Sequence, residues 1–217
     1  MLIGGKYMIK NIIFDLGGVL LDFKPENYLK HIGVNEEEAK LFKKLIWGSE
    51  VWFKGDRGDM NYEQLTDSIC EHNPKYAKKL RYILENKDNS FILSENPKNC
   101  EYFKELKSRG FKVYFLSNVN QIDLKFDQEN FDIFKLIDGA VYSSEVCCAK
   151  PEKQCYEILL NKYNLIPEEC IFIDDSLINV EVASSLGIHS VHFYDLEKAK
   201  QKIENIIDTQ SDKVSIR

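Results

Sequence analysis

Residues suited to phosphate and metal chemistry follow three short apolar runs in this chain of 217 residues. Asp15 comes directly after IKNIIF, and Ser117 and Asn118 come after KVYFL. Asp174 and Asp175 come after CIFI. Short apolar runs that stop at polar residues are typical of buried strands ending at a loop. The sequence therefore predicts five polar side chains at the ends of three strands.

Lys150 adds a positive charge to this set. It follows another short apolar stretch, Ala140–Tyr142, and stands before Pro151, where a helix is expected to begin. Ligands of a parallel α/β sheet bind beyond the carboxyl ends of its strands. The lysine and the polar residues are therefore expected to meet at one edge of the sheet.

The carboxylates of this set suit metal-assisted attack on phosphorus. A carboxylate is ionised near neutral pH, so Asp15 can attack a phosphate ester without a base to activate it. Attack of an anion on an anion needs a counter-charge, and Mg²⁺ binds through one or two carboxylates together with phosphate oxygens. We expect Asp15 and Asp175 to bind Mg²⁺ directly, with Asp174 and Asn179 supporting the site from behind.

The remaining residues of the set suit the phosphate group itself. The Ser117 hydroxyl, the Asn118 amide and nearby backbone N–H groups can donate hydrogen bonds to phosphate oxygens. Lys150 supplies a compact positive charge. Together they predict a small phosphorylated metabolite as the ligand.

Helical patterns separate the predicted strands. They cover residues 99–108, 152–162, 178–186 and 196–206, and strands that alternate with helices indicate a parallel α/β sheet. Residues 24–94 break this rhythm, because they carry helical patterns at 36–47, 62–70 and 76–86 and no clear strand. An all-helical insertion after the first strand is the natural interpretation.

Composition excludes several classes of partner. The chain is 44% apolar and 29% charged, as in globular proteins, and its net charge of −6 argues against nucleic acid. No apolar run approaches the ~20 residues needed to span a bilayer, and the N-terminus lacks the features of a secretory signal. The six cysteines form no CxxC pair, and we expect reduced thiols in a cytoplasmic protein.

Four segments resemble, in order, the four motifs of the haloacid dehalogenase superfamily. These are DLGGV (15–19), FLSN (115–118), KP (150–151) and IDDSLIN (173–179). The resemblance implies a Rossmann-like, three-layer α/β/α core and a helical cap inserted after the first motif. It sets the core at residues 1–22 and 95–217 and the cap at 23–94. It also implies a phosphatase that forms an aspartyl-phosphate on Asp15.

A finer resemblance concerns the substrate. The segments FDLGGVLLDF, LSNVNQ and GDRGD (55–59) are similar to those of bacterial α-D-glucose-1-phosphate phosphatases. In the same insertion, Trp47, Trp52 and Phe53 are expected to pack between cap and core, with a surface for stacking on a sugar as the alternative.

Gly17 departs from the family pattern. Most phosphatases of the superfamily carry a second Asp at this position, which protonates the leaving group and then activates water. The Gly17 backbone carbonyl can still bind Mg²⁺, but general acid–base catalysis is typically worth about 10²–10⁴-fold. Three interpretations follow: the enzyme is slow, it favours a leaving group that needs little protonation, or another side chain performs the proton transfers. Asp22, Asp56, Arg57 and Asp59 are candidates for such a side chain. We favour the second interpretation, a leaving group that needs little protonation, with a sugar 1-phosphate as substrate.

Two other functions fit the same residues. A 2-haloacid dehalogenase of this superfamily also lacks the second Asp and also uses the first as nucleophile, but it has no use for Mg²⁺. A weakly catalytic protein that binds a phosphorylated metabolite for regulation is the other alternative. Release of phosphate, halide or neither separates the three.

Overall fold

The main sheet has five strands in the described part of the chain. The structure, a computed structural model, describes the backbone of residues 7–215 and the side chains of residues 7–209. Its strands are β1 Asn11–Phe14, β2 Leu21–Phe23, β3 Leu93–Glu95, β4 Lys112–Ser117, β5 Gly139–Tyr142, β6 Cys170–Asp174 and β7 His189–His192. The order in the main sheet is β5-β4-β1-β6-β7, and every neighbouring pair is parallel.

Eleven α-helices are assigned within the described residues. They are α1 Pro25–His31, α2 Glu36–Leu45, α3 Glu50–Arg57, α4 Tyr62–His72, α5 Ala77–Glu85, α6 Pro97–Ser108, α7 Gln121–Asn130, α8 Ser143–Val146, α9 Lys153–Tyr163, α10 Leu177–Ser185 and α11 Leu196–Ser215. Five of them, α1 to α5, lie in the predicted insertion.

Two hydrophobic clusters, one on each face of the sheet, make the core a three-layer structure. Successive side chains of a strand point to opposite faces, so Ile12 and Ile13 of β1 belong to different clusters. Ile12 packs in the cluster of Phe103 from α6, and Ile13 in the cluster of Tyr156 from α9. The predicted α/β/α fold is confirmed.

The insertion has a hydrophobic cluster of its own. Tyr28, Phe42 and Leu80 are fully buried there, away from both faces of the sheet. The strands β2 and β3 pair antiparallel at the two ends of the insertion, with Leu21 opposite Glu95. The sequence did not predict this two-stranded ribbon. The division into a core and a cap, with boundaries at 22/23 and 94/95, stays a proposal.

Other predictions concern the environment of the chain. Among the described residues, no helix is both long and apolar enough to cross a membrane. All six cysteines are free thiols. Residues 1–6, which belong to the N-terminus judged to lack a secretory signal, lie outside the described part of the chain.

Candidate active site

Asp15 lies one residue beyond β1, the central strand of the sheet, and is almost fully buried. Its Oδ1 accepts a hydrogen bond from the backbone N–H of Leu16 at 2.7 Å and lies 2.8 Å from Lys150 Nζ. No described residue hydrogen-bonds to Oδ2, which leaves that oxygen for an incoming group. Burial raises the pKa of Asp15 to about 7, with Asp174 and Asp175 acting in the same direction and Lys150 against them.

Lys150 is held in place through its backbone. Asn118 Nδ2 donates to the Lys150 carbonyl at 2.8 Å, and the Lys150 N–H donates to Asn118 Oδ1 at 2.9 Å. The Asn118 amide is therefore engaged first in positioning Lys150. The Lys150 side chain is buried, which lowers its pKa, but Asp15 and Asp174 outweigh the burial and the net pKa is raised, so the ammonium stays charged.

Asp174 has hydrogen-bond donors on both of its oxygens. Oδ1 accepts from the Ser176 N–H at 2.8 Å and from Asn179 Nδ2 at 3.0 Å. Oδ2 accepts from Lys150 Nζ at 2.7 Å and from Asn179 Nδ2 at 3.1 Å. A carboxylate so occupied, and with no exposed surface, suits a supporting position better than direct metal binding.

Asp175 approaches the backbone of the first loop closely. Gly18 has a φ of +74°, and a Cβ at that position would lie 2.3 Å from Asp175 Oδ2. Only glycine fits this contact without a shift. By contrast, a Cβ at Gly17 would meet no atom within 4 Å.

The three aspartates fit a divalent cation. Asp15, Asp174 and Asp175 each offer an oxygen, and these oxygens lie within 4.8 Å of one another. These three carboxyl groups outnumber the ammonium of Lys150, which pairs with Asp15 and Asp174, so the cluster lacks compensating positive charge. Oxygen donors with this charge match the preference of Mg²⁺.

A cavity of about 430 Å³ opens over these groups. Its floor includes Asp15, Gly17, Ser117 and Lys150 from the sheet edge. Ser117 ends β4 and is buried. The cavity therefore places the hydroxyl and the ammonium predicted to bind phosphate beside the predicted nucleophile.

The opposite wall comes from the insertion and includes Trp47, Trp52 and Asp56. Asp56 is in the last turn of α3, and its Oδ1 accepts from both the backbone N–H and Nδ2 of Asn120 at 3.1 Å. The Ser143 hydroxyl donates to the Asp56 carbonyl and accepts from the Val119 N–H at 2.9 Å. The insertion is thereby bonded to the loop after β4.

A second acidic group lines the same cavity from α7. The Asp123 carboxylate pairs with the buried Lys87 ammonium and accepts from Asn89 Nδ2 at 2.7 Å. Asp127 is also buried, and its Oδ1 has no hydrogen-bond partner in the described part of the chain. Burial raises the pKa of Asp127 to about 8, and the charge of Asp123 adds to the effect. Trp47 Nε1 is a further buried polar atom of this wall with no partner among the described residues.

The fold and the arrangement of these residues agree with one family. The family model for haloacid dehalogenase-like hydrolases matches residues 9–187, most of the chain. The chain belongs to the haloacid dehalogenase-like hydrolases.

Relatives of this haloacid dehalogenase-like hydrolase include phosphatases of different substrates. The sesquiterpene phosphatase astK of Aspergillus oryzae is 28% identical over 86% of this chain and 90% of its own length. The D-ribitol-5-phosphate phosphatase of Bacteroides thetaiotaomicron is 24% identical over 84% of this chain and 91% of its own.

Solved structures resemble the chain over most of its length. The enzyme bt-2542 of Bacteroides thetaiotaomicron, in complex with magnesium and inorganic phosphate, aligns with a TM-score of 0.65 and 26% identity, covering 88% of this chain and 98% of that one. A dehalogenase in an intermediate complex aligns with a TM-score of 0.69 and 19% identity, covering 87% and 86%. The second likeness concerns the fold alone.

Two predicted site residues of this hydrolase lie apart from the cavity. The Asp22 carboxylate accepts from Lys24 Nζ at 2.6 Å and from Asn96 Nδ2 at 3.1 Å, and the Lys24 bond lowers its pKa. Arg57 donates to Glu152 through Nε at 2.7 Å and Nη2 at 3.2 Å, joining the insertion to the core. Neither is among the described residues that line the cavity.

Asp123 and Asp127 are cavity residues that sequence reasoning missed. They stand four residues apart in α7, directly after the FLSN segment. Like charges at this spacing repel on an exposed helix, so the pair itself was the available signal. The remaining predicted residues, from Asp15 to Asn179, line the cavity or, in the case of Asp174, support it.

Proposed function

We propose that this protein is a Mg²⁺-dependent phosphatase of small phosphate monoesters with Asp15 as the nucleophile. The observation that carries the proposal is the convergence of Asp15, Asp174 and Asp175 oxygens within 4.8 Å, with Lys150 Nζ 2.8 Å from Asp15. Bound by Asp15, Asp175 and the Gly17 carbonyl, Mg²⁺ would neutralise phosphate charge and so reduce the repulsion that Asp15 meets.

The chain's own groups account for the first step. Oδ1 of Asp15 is fixed by Lys150 and the Leu16 N–H, which leaves Oδ2 to form the bond to phosphorus. Ser117, the Lys150 ammonium and the backbone beyond β4 hold the phosphate oxygens as charge builds on them. The bond to the leaving oxygen breaks, and phospho-Asp15 remains for hydrolysis by water.

The lining of the cavity favours a hydroxyl-bearing leaving group. It includes Trp47 and Asp127, whose Nε1 and Oδ1 atoms are buried with no hydrogen-bond partner among the described residues. Such groups cost free energy unless a ligand pairs with them. Trp47 and Trp52 offer aromatic faces beside them. A sugar phosphate fits this wall, and a sugar 1-phosphate is favoured because its anomeric hydroxyl leaves with little need for protonation.

The test is phosphate release from a panel of esters with and without Mg²⁺. The panel holds sugar 1-phosphates, sugar 6-phosphates, pentitol phosphates and a prenyl phosphate. We expect Mg²⁺-dependent release that is highest on a sugar phosphate and absent in Asp15→Asn. Preference for the prenyl ester would overturn the sugar assignment but not the phosphatase.

Two alternatives keep the same fold. A 2-haloacid dehalogenase would release halide from a 2-haloacid without Mg²⁺, while the excess negative charge at Asp174 and Asp175 favours metal chemistry. Gly17 is the observation that favours a weakly catalytic, metabolite-binding protein. Tight binding of a sugar phosphate with no phosphate release would support that function.

A further inference from the structure

The position of Gly17 leaves two proton transfers without a side chain. In the first step the leaving oxygen needs a proton, and in the second a water molecule must lose one. Gly17 offers only backbone there, although a Cβ at this position would meet no atom within 4 Å. Another group of the cavity is therefore required if the enzyme hydrolyses esters with basic leaving groups.

The four acid–base candidates named from the sequence differ in their contacts. Asp22 pairs with Lys24 at the ribbon of β2 and β3. Arg57 pairs with Glu152 of the core and with Asp59. Of the four candidates, Asp56 is the one on the cavity wall.

Asp56 has the geometry of a positioned acid. Both hydrogen bonds to its side chain, from the N–H and Nδ2 of Asn120, fall on Oδ1. No described residue hydrogen-bonds to Oδ2, so one oxygen is fixed while the other stays available. Asn120 follows Asn118 by two residues, which ties the carboxyl to the loop predicted to bind phosphate.

The electrostatics of Asp56 suit proton transfer at neutral pH. Burial, assisted by the charge of Asp123, raises its pKa to about 7 against the opposing Asn120 hydrogen bonds and Lys87 charge. A group that titrates near the working pH is efficient both as an acid and as a base.

Asp127 is the competing cavity acid, and its position on α7 disfavours it. It lies seven residues beyond Asn120, the N-cap of α7. At a rise of about 1.5 Å per residue, that is about 10 Å farther along the helix. Asp56, by contrast, is bonded directly to Asn120 at the end of the loop after β4.

We propose that Asp56, supplied by the insertion, is the general acid and base that replaces the missing aspartate at Gly17. This inference rests on the proposed phosphatase function. In the first step Asp15 forms its bond to phosphorus, the bond from phosphorus to the leaving oxygen breaks, and Asp56 gives that oxygen its proton. In the second step Asp56 takes a proton from water, the water oxygen bonds to phosphorus, and Asp15 is released with inorganic phosphate.

The assignment also couples chemistry to the insertion. Asp56 is held by Asn120 and by the hydroxyl of Ser143 on the core, so its carboxyl reaches the cavity only while the insertion is docked.

The test compares Asp56→Asn with Asp67→Asn, the same change in the same insertion at a carboxylate that does not line the cavity. Asparagine can still accept both Asn120 bonds, so the fold is retained. On an alkyl phosphate we expect Asp56→Asn to lower kcat by about 10²–10⁴-fold, with a smaller loss on a sugar 1-phosphate. Asp67→Asn is expected to turn over like the wild type.

Two further readouts separate a proton-transfer role from a structural one. p-Nitrophenyl phosphate needs no acid to release its phenolate, so Asp56→Asn should give a burst of one phenolate per active site and then stall. Gly17→Asp in the Asp56→Asn background places a carboxyl where there is room for it, and we expect it to restore kcat by at least about tenfold.

The outcomes distinguish the two levels of the proposal. Wild-type turnover in Asp56→Asn, with Asp15→Asn inactive, would overturn the role of Asp56 and leave the phosphatase intact. Equal losses on alkyl and nitrophenyl esters, with no burst and no rescue by Gly17→Asp, would overturn it as well. If the wild type itself releases no phosphate from any ester, the proposed phosphatase fails and the role of Asp56 falls with it.

Discussion

Lys150 Nζ lies 2.8 Å from Asp15 Oδ1 and 2.7 Å from Asp174 Oδ2, and its side chain is only 1% exposed. The Lys150 ammonium thus joins the proposed nucleophile, Asp15, which directly follows β1, to Asp174, the last residue of β6. Its charge fixes one oxygen of Asp15 and offsets part of the repulsion among the aspartates. The pair is therefore expected to matter for folding as well as for catalysis.

Lys150→Met should destabilise the protein strongly at neutral pH. Removing one partner of a buried ion pair typically costs about 3–5 kcal/mol, because the other charge stays buried without compensation. Without Lys150 the pKa of Asp15 rises above about 7, so above pH 7 the folded variant holds a proton that the wild type has released. The loss should therefore grow from pH 7 to 9. Urea unfolding in EDTA at pH 7 and 9 measures it, with the exposed Lys153→Met as control. Wild-type stability of Lys150→Met at pH 7 would contradict the account.

Asp127 should make stability depend on pH. Its folded pKa is raised to about 8 from an unfolded value of 3.8, so between these values the folded state holds one more proton. The free energy of unfolding then falls as pH rises, by about 1.4 kcal/mol per pH unit. Asp127→Asn removes this group, and its unfolding free energy should fall less steeply from pH 5 to 7. Parallel slopes for variant and wild type in EDTA would show that Asp127 is not buried as described.

Gly18→Ala should impair metal binding far more than Gly17→Ala. The added Cβ at position 18 meets Asp175 Oδ2 and requires an unfavourable φ of +74°. The same atom at position 17 meets nothing within 4 Å. We expect Gly18→Ala to raise the Mg²⁺ concentration needed for half-maximal phosphate release by at least about tenfold, equivalent to about 1.4 kcal/mol. Equal Mg²⁺ dependence of the two variants would argue against Asp175 as a metal ligand.

Trp47→Phe tests whether the indole N–H of Trp47 binds the leaving group. The variant keeps an aromatic face and removes the buried Nε1, which has no partner among the described residues. If that N–H binds a sugar hydroxyl, kcat/KM for the sugar phosphate should fall. The loss of transition-state stabilisation should be about 1–3 kcal/mol, the cost of leaving a polar partner unpaired. Phenyl phosphate, which has no such hydroxyl, should be hydrolysed as before. Equal losses on both esters would assign Trp47 to packing.

The sheet edge was predictable because local sequence determines it. Asp15, Ser117 and Asp175 follow short apolar runs, and parallel strands bring their carboxyl ends to one edge whatever the rest of the chain does. The strand ends differ from the structure by a few residues only. The ribbon of β2 and β3 was not predictable, because each strand has only three residues and only one of the six residues is buried.

The cavity wall depends on contacts between distant segments, which one sequence does not reveal. Asp123 and Asp127 lie in a segment, QIDLKFDQEN, whose polar residues suggest a solvated helix, yet both are buried. In the sequence, nothing distinguishes Lys87 from a surface lysine. In the structure it pairs with Asp123 and lies over the rings of Trp52 and Tyr62. Asp56 was one of four candidates, and its place on the cavity wall and its contact with Asn120 distinguish it.

The phosphorylated state of Asp15 is the central claim, and trapping it tests that claim most directly. Wild-type enzyme is mixed with a hydrolysed ester and Mg²⁺, quenched in acid within one turnover, and digested for mass spectrometry. The account predicts one phosphoryl group on the peptide that contains Asp15, formed only with Mg²⁺ and accumulating further in Asp56→Asn. Phosphate release within that turnover with no phosphorylated peptide, or with the phosphoryl group on another residue, would contradict it.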